Sequence, residues 1–107
     1  MAILAYGINY RTAPIEVRER IAFPEEALPG ALQEATRLIP SVSEAAIIST
    51  CNRTELYLAL DPSQEDAVRH WLASTREIGM SELANMAYGH WDQEAARHLI
   101  RVASGLD

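Results

Sequence analysis

Two short apolar runs, Ala45-Ala46-Ile47-Ile48 and Leu56-Tyr57-Leu58-Ala59-Leu60, lie on either side of a polar stretch. Both are rich in β-forming residues, and each is too short to be an independent helix. The four polar residues Cys51-Asn52-Arg53-Thr54 between them predict a β-hairpin over about residues 44–60, with that tetrad at its tip. A hairpin commits the chain to an antiparallel sheet. It also puts the only cysteine on a loop held by two strands, among hydroxyl, amide and guanidinium groups.

The remaining pattern supplies partners for the hairpin. Ile3 to Tyr10 reads as a first strand, and Gly7 within it predicts a bulge or the close approach of another backbone. Asn9 to Pro14 reads as a loop, and Glu16 to Phe23 as a short helix burying Val17 and Ile21. Pro24-Glu25-Glu26 reads as a turn or a first helical turn. Pro29 begins the main helix, whose stripe is Leu28, Leu32, Ala35 and Ile39, and Pro40 ends it. After the hairpin and the turn Asp61-Pro62-Ser63, Ser63 is expected to cap a helix that buries Val68, Trp71, Leu72 and Thr75, with Asp66 completing a capping box. Ser81 is expected to cap a short turn, and Asn85 to Trp91 to form the last strand. Asp92 then caps a helix with the face Ala95, Leu99, Val102, Ala103 and Leu106. This order is that of two split βαβ units. It predicts an α+β, ferredoxin-like fold: a four-stranded antiparallel sheet with two long helices on one face and a C-terminal helix appended.

A chain of 107 residues, 49% of them apolar, has room for one core. No apolar run is long enough to cross a bilayer, and the N-terminus lacks the basic flank and apolar core of a signal peptide. A lone cysteine forms no internal disulfide, and no Cys/His spacing fits zinc, so no metal and a cytoplasmic setting are expected. The net charge of −6 argues against tight non-specific binding to nucleic acid, whose affinity comes from cation–phosphate contacts. All nine basic residues are arginine, and Arg11, Arg18, Arg20 and Arg53 fall in the first half. They can form a local patch or ordinary ion pairs with Glu16, Glu19 and Glu55, and charge alone favours the pairs. The end at Asp107, just after an apolar helical stripe, suggests a piece of a longer protein.

Cys51 is the candidate nucleophile. Thiols attack as thiolates, which a neighbouring positive charge favours, and Arg53 stands two residues on. The competing role, a small inert hydrophobe, suits an apolar run better than Thr50-Cys51-Asn52-Arg53. Arg53 can also grip a carboxylate or phosphate, or simply pair with Glu55, and spacing leaves those two level. Thr50 and Asn52 can bond a substrate or satisfy the hairpin backbone. His70 reads as a solvated residue and His90 as packing or capping. His98 sits at the edge of the last helix's stripe, within reach of the sheet, and by itself reads as partly buried and hydrogen-bonded. There is no Gly-x-Gly-x-x-Gly after a strand and no P-loop, so a nucleotide cofactor would bind elsewhere.

Three blocks, in order, carry a resemblance. They are Gly7-Ile8-Asn9-Tyr10-Arg11-Thr12-Ala13-Pro14 with Val17-Arg18-Glu19-Arg20, then Ser49-Thr50-Cys51-Asn52-Arg53-Thr54-Glu55-Leu56-Tyr57, then His98-Leu99-Ile100-Arg101-Val102-Ala103-Ser104-Gly105-Leu106-Asp107. Together they closely resemble the N-terminal catalytic domain of the glutamyl-tRNA reductases. The likeness runs the length of the chain. Its departures are Tyr10 and Arg11, where many members have histidine and lysine.

The resemblance implies reduction of glutamyl-tRNA(Glu) by NADPH to glutamate-1-semialdehyde, in tetrapyrrole (porphyrin) biosynthesis, through a cysteine thioester. The family's nucleophile falls on Cys51 and its important histidine on His98, which would orient or polarise the ester. Its substrate-binding segment falls on Thr50, Cys51, Asn52 and Arg53. By the same resemblance, residues 1–107 are a catalytic domain incomplete at its C-terminal end. The NADPH-binding and dimerisation domains lie outside the chain, so the chain alone does not complete the reaction. The full-length protein would be a homodimer in contact with glutamate-1-semialdehyde aminomutase. The competing function is a non-catalytic ferredoxin-like module that binds a ligand or protein.

Overall fold

The structure, a computed structural model, describes residues 2–107. Its elements in chain order are β1 (Ala2–Asn9), α1 (Ile15–Ile21), α2 (Leu28–Leu38), β2 (Glu44–Ser49), β3 (Arg53–Leu60), α3 (Glu65–Thr75), α4 (Met80–Met86), β4 (Tyr88–Trp91) and α5 (Gln93–Ala103). Short 3-10 turns at Glu25–Ala27 and Pro62–Gln64 lead into α2 and α3. The strands form one sheet in the order β2-β3-β1-β4, and every pairing is antiparallel. This is the α+β, ferredoxin-like arrangement the sequence predicts.

The sheet has two unlike faces because side chains alternate along a strand. Leu4, Tyr6 and Ile8 of β1 and Leu56, Leu58 and Leu60 of β3 point to one face. There they meet Val17 and Ile21 of α1, Ala35 of α2, Val68, Trp71 and Leu72 of α3, and Leu83 of α4 in a single core. Each fully buried leucine of this set stabilises the fold by roughly 1.5–3 kcal/mol relative to exposure. Ala5, Gly7 and Asn9 of β1 and Arg53, Glu55 and Tyr57 of β3 point to the other face, whose polar part α5 covers.

Gly7 is the close approach anticipated from the sequence. A β-carbon placed there would lie 2.1 Å from the Thr54 carbonyl oxygen and 2.8 Å from Glu55 Cα, both backbone atoms of the paired strand. It would also lie 3.0 Å from Glu55 Cγ, so the Glu55 side chain runs over the bare glycine.

Several local expectations are corrected. The hairpin tip is Thr50-Cys51-Asn52. Arg53 and Thr54 already belong to β3, with Thr54 paired to Ser49, because the Thr50 N–H donates to the Arg53 carbonyl at 2.8 Å and closes the loop one residue earlier. Ser63 does not cap α3: Asp61 accepts from the Ser63 N–H and hydroxyl and caps the 3-10 turn instead. Ser81 caps nothing, since α4 starts at Met80 after Gly79. The last strand spans only Tyr88–Trp91, because Asn85 and Met86 complete α4. Asp92 precedes α5, but its carboxylate accepts from the Ile3 N–H at 2.9 Å and ties the helix entrance to β1 rather than to the helix's own amides. Finally, α5 buries Ala95 and His98, with Val102 half-buried, and leaves Leu99 and Ala103 exposed; it ends at Ala103, before the exposed Leu106. A polar sheet face recruits the histidine edge of the helix, not its apolar stripe.

Candidate active site

Three elements meet at the carboxylate of Glu55, which is fully buried in the middle of β3. Its Oε1 accepts from the Tyr57 hydroxyl at 2.7 Å. Its Oε2 faces His98 Nε2 at 2.5 Å, Arg53 Nη1 at 3.3 Å and the Tyr88 hydroxyl. Period-two alternation brings Arg53, Glu55 and Tyr57 together on one strand, β4 adds Tyr88, and α5 adds His98. Burial pushes the Glu55 carboxyl up. The hydrogen bonds from Tyr88, His98 and Tyr57 outweigh it and hold the carboxyl below its ordinary range. Burial and the bond to this anion push the hydroxyls of Tyr88 and Tyr57 far up, so both remain donors.

Arg53 is itself nearly buried and bridges two anions. It donates to Glu55 and, at 3.1 Å, to Asp107. Burial works against its charge, but Asp107 and Glu55 outweigh burial and hold the guanidinium protonated beyond its ordinary range. Asp107 is held below the usual carboxylate range: its partial burial opposes the shift, and Arg53 carries it.

Above these groups lies a cleft of about 350 Å³, lined by Asn9, Arg11, Tyr88, His90, Arg97, Arg101 and Asp107 among others, with His98 in its wall. The rings of His90 and His98 are 4.7 Å apart, and Tyr88 lies 5.4 Å from each. Asn9 shapes the rim, its carboxamide oxygen accepting from the Arg11 and Thr12 N–H groups as β1 turns away.

Cys51 is exposed at the hairpin tip. The Thr50 hydroxyl accepts from the Asn52 N–H at 3.2 Å, and the Cys51 Sγ stands 3.9 Å from the Asn52 carboxamide oxygen. The guanidinium bonded to this tip is that of Arg18, which donates to the Cys51 carbonyl at 3.2 Å and to the Ala13 carbonyl at 2.8 Å. At the tip's base, Ser49 Oγ accepts from the Phe23 N–H at 2.8 Å and lies 3.0 Å from the Thr54 hydroxyl. Cys51 and Thr50 line a second, smaller cavity of about 230 Å³ with Arg18, Glu19 and Phe23. The structure thus joins Arg53 and His98 through Glu55 and joins Thr50, Cys51 and Asn52 to one another. His98 lines the arginine-lined cleft, Thr50 and Cys51 line the smaller cavity, and Arg53 bonds to carboxylates, not to the thiol. No group of His, Cys, Asp and Glu among the described residues could hold a metal ion.

The family model for the N-terminal domain of glutamyl-tRNA(Glu) reductase matches residues 6–107. The chain belongs to this glutamyl-tRNA reductase family. It is 54% identical over its whole length to the glutamyl-tRNA reductase of Ectopseudomonas mendocina and 51% identical to that of Marinobacter nauticus. In both comparisons it spans 25% of the longer protein. The solved glutamyl-tRNA reductase of Methanopyrus kandleri superposes with a TM-score of 0.73 over 97% of this chain and 22% of that one, at 24% identity, a likeness of fold. Within the reductase domain, sequence reasoning missed Glu55, Tyr57 and Tyr88 as parts of the site. A signal was present: Glu55 directly precedes the apolar run, and alternation from Leu56 puts it on the face opposite the core.

Proposed function

We propose that this chain is the catalytic N-terminal part of a glutamyl-tRNA reductase and takes the glutamyl group of glutamyl-tRNA(Glu) onto Cys51. The thiolate sulfur attacks the ester carbonyl carbon. The S–C bond forms, the C–O bond to the ribose breaks, and the tRNA leaves as the free hydroxyl once that oxygen gains a proton. Such covalent catalysis divides one difficult displacement into two easier steps. Identity of 54% across all 107 residues to a glutamyl-tRNA reductase carries the reading, and the exposure of the one cysteine agrees with it.

Thr50, Asn52 and Arg53 are the substrate-binding residues of this proposal. That Arg53 holds the Asp107 carboxylate at 3.1 Å beside Glu55 supports its part: a substrate carboxylate would take the place Asp107 fills. His98 is the second catalytic group, at the wall of the arginine-lined cleft. NADPH supplies the hydride that turns a thioester into an aldehyde. Among the described residues all strand pairings are antiparallel and no glycine-rich strand-to-helix turn is present, so these residues do not fit a dinucleotide. We assign that step, and homodimer formation, to domains outside the chain. By the same family resemblance the protein is cytoplasmic and passes its aldehyde to glutamate-1-semialdehyde aminomutase; no helix among the described residues is long and apolar enough to cross a membrane.

The test replaces the matching N-terminal quarter of the Ectopseudomonas mendocina reductase with this chain. The chimera is expected to form glutamate-1-semialdehyde from glutamyl-tRNA and NADPH, and Cys51→Ser to abolish it. Undiminished turnover by the serine variant refutes the assignment. A non-catalytic binding module would give no product with either.

A further inference from the structure

The buried carboxylate at the centre of the second sheet face has a consequence for the histidine beside it. Glu55 is held ionised, and a carboxylate only accepts hydrogen bonds. The ring nitrogen that faces it at 2.5 Å is Nε2, so Nε2 carries a proton. The other ring nitrogen, Nδ1, has no hydrogen-bond partner among the described residues, yet it is not among their sealed, unpartnered polar atoms. His98 is a lining residue of the cleft.

We propose that Glu55 is a positioning residue for His98: it holds the Nε2–H against the carboxylate, so that in the neutral ring the proton sits on Nε2 and Nδ1 is left as the acceptor on the cleft side. Three further groups hold Glu55 for this task. The Tyr57 and Tyr88 hydroxyls and the Arg53 guanidinium occupy the rest of its oxygens, so neither the carboxylate nor the ring can turn without breaking buried bonds. The ring is also confined between His90 and Tyr88.

This deepens the proposed role of His98 and rests on it for its catalytic meaning. In the neutral ring with its proton on Nε2, Nδ1 cannot donate to an ester oxygen. It takes the proton of a thiol or hydroxyl that enters the cleft: the S–H or O–H bond breaks, the Nδ1–H bond forms, and the electron pair stays on sulfur or oxygen. The positive charge on the ring then lies against the Glu55 carboxylate. In that form His98 is a proton acceptor.

Nitrogen-15 NMR of the 107-residue chain tests the proposal, because the two imidazole tautomers give different long-range couplings. In the parent chain the Nε2–H form of His98 is expected to exceed the Nδ1–H form by roughly tenfold or more, the worth of one charge-assisted hydrogen bond. Glu55→Gln is expected to bring the ratio down severalfold. Tyr88→Phe, which leaves the carboxylate in place, is expected to keep Nε2–H dominant and serves if the glutamine variant does not fold. A dominant Nδ1–H form in the parent, or a ratio unmoved by Glu55→Gln, overturns the proposal, as does loss of Nε2–H dominance in a folded Tyr88→Phe chain. The measurement needs no turnover, so an inactive chimera would sink the functional reading while the tautomer result stood or fell on its own.

Discussion

Gly7→Ala is the sharpest single perturbation the fold offers. The added methyl would sit 2.1 Å from a carbonyl oxygen and 2.8 Å from an α-carbon of β3. Neither belongs to a movable side chain, so relief requires prising β1 from β3 at the centre of the sheet. It would also crowd Glu55 Cγ at 3.0 Å and push the carboxylate off its four donors. Overpacking a core costs about 1–3 kcal/mol when side chains can yield. With backbone on both sides, about 3 kcal/mol or more is expected, a large share of the roughly 5–15 kcal/mol that holds a typical domain together. At about 4 °C per kcal/mol for a chain of this size, the midpoint of thermal unfolding falls by about 12 °C. Urea titration followed by far-UV circular dichroism measures the free energy directly. Gly30→Ala is the control: nothing lies within 4 Å of its added methyl, and in α2 it should be neutral or stabilise by up to about 1 kcal/mol. Equal stability of the Gly7→Ala and Gly30→Ala chains would refute the close-approach argument.

Further expectations follow from the same geometry. Glu55→Ala leaves two hydroxyls and an imidazole without their acceptor and takes one of two carboxylates from Arg53, and should cost about 3–5 kcal/mol by urea titration, with Tyr57→Phe costing about 1 kcal/mol. Glu55 and Asp107 have folded pKa values below their unfolded ones, so their stabilisation is fully present above about pH 4.3 and is lost as pH falls through the lower folded values. Tyr57 and Tyr88 have raised folded values, so their contribution is present below about pH 10 and is lost as pH climbs beyond it; melting midpoints against pH should trace both flanks. Because Arg18 bonds to the Cys51 carbonyl while Arg53 is engaged by Glu55 and Asp107, Arg18→Ala should alter the iodoacetamide rate of Cys51 more than Arg53→Ala does, and the reverse order would restore Arg53 as its activating neighbour.

What could be read from the sequence was what local chemistry decides. The hairpin followed from two apolar runs and a polar gap, the start of α2 from Pro29, and the close approach at Gly7 from a glycine inside a strand. What escaped depends on which surfaces meet. Arg53 looked like a loop residue until the loop closed at Thr50, which moved its side chain onto the sheet's second face. Leu99 and Leu106 looked like core because helical periodicity marks an apolar stripe without saying what the helix covers. Here it faces Glu55 and Tyr88, so His98 turns inward and Leu99 turns out. Long-range partners of this kind, such as Glu55 with His98 across 43 positions, leave no periodic trace.

The unlike faces of the sheet also divide the molecule by how easily each layer opens. Lifting α1 to α4 would wet a floor of hydrocarbon. Lifting α5 would wet hydroxyls, guanidinium and carboxylate that water solvates readily, with Ala95 the one buried aliphatic side chain the helix would give up. Amide protons of α5 should therefore exchange with deuterium sooner than those of α3, and the loose layer is the one that roofs the arginine-lined cleft.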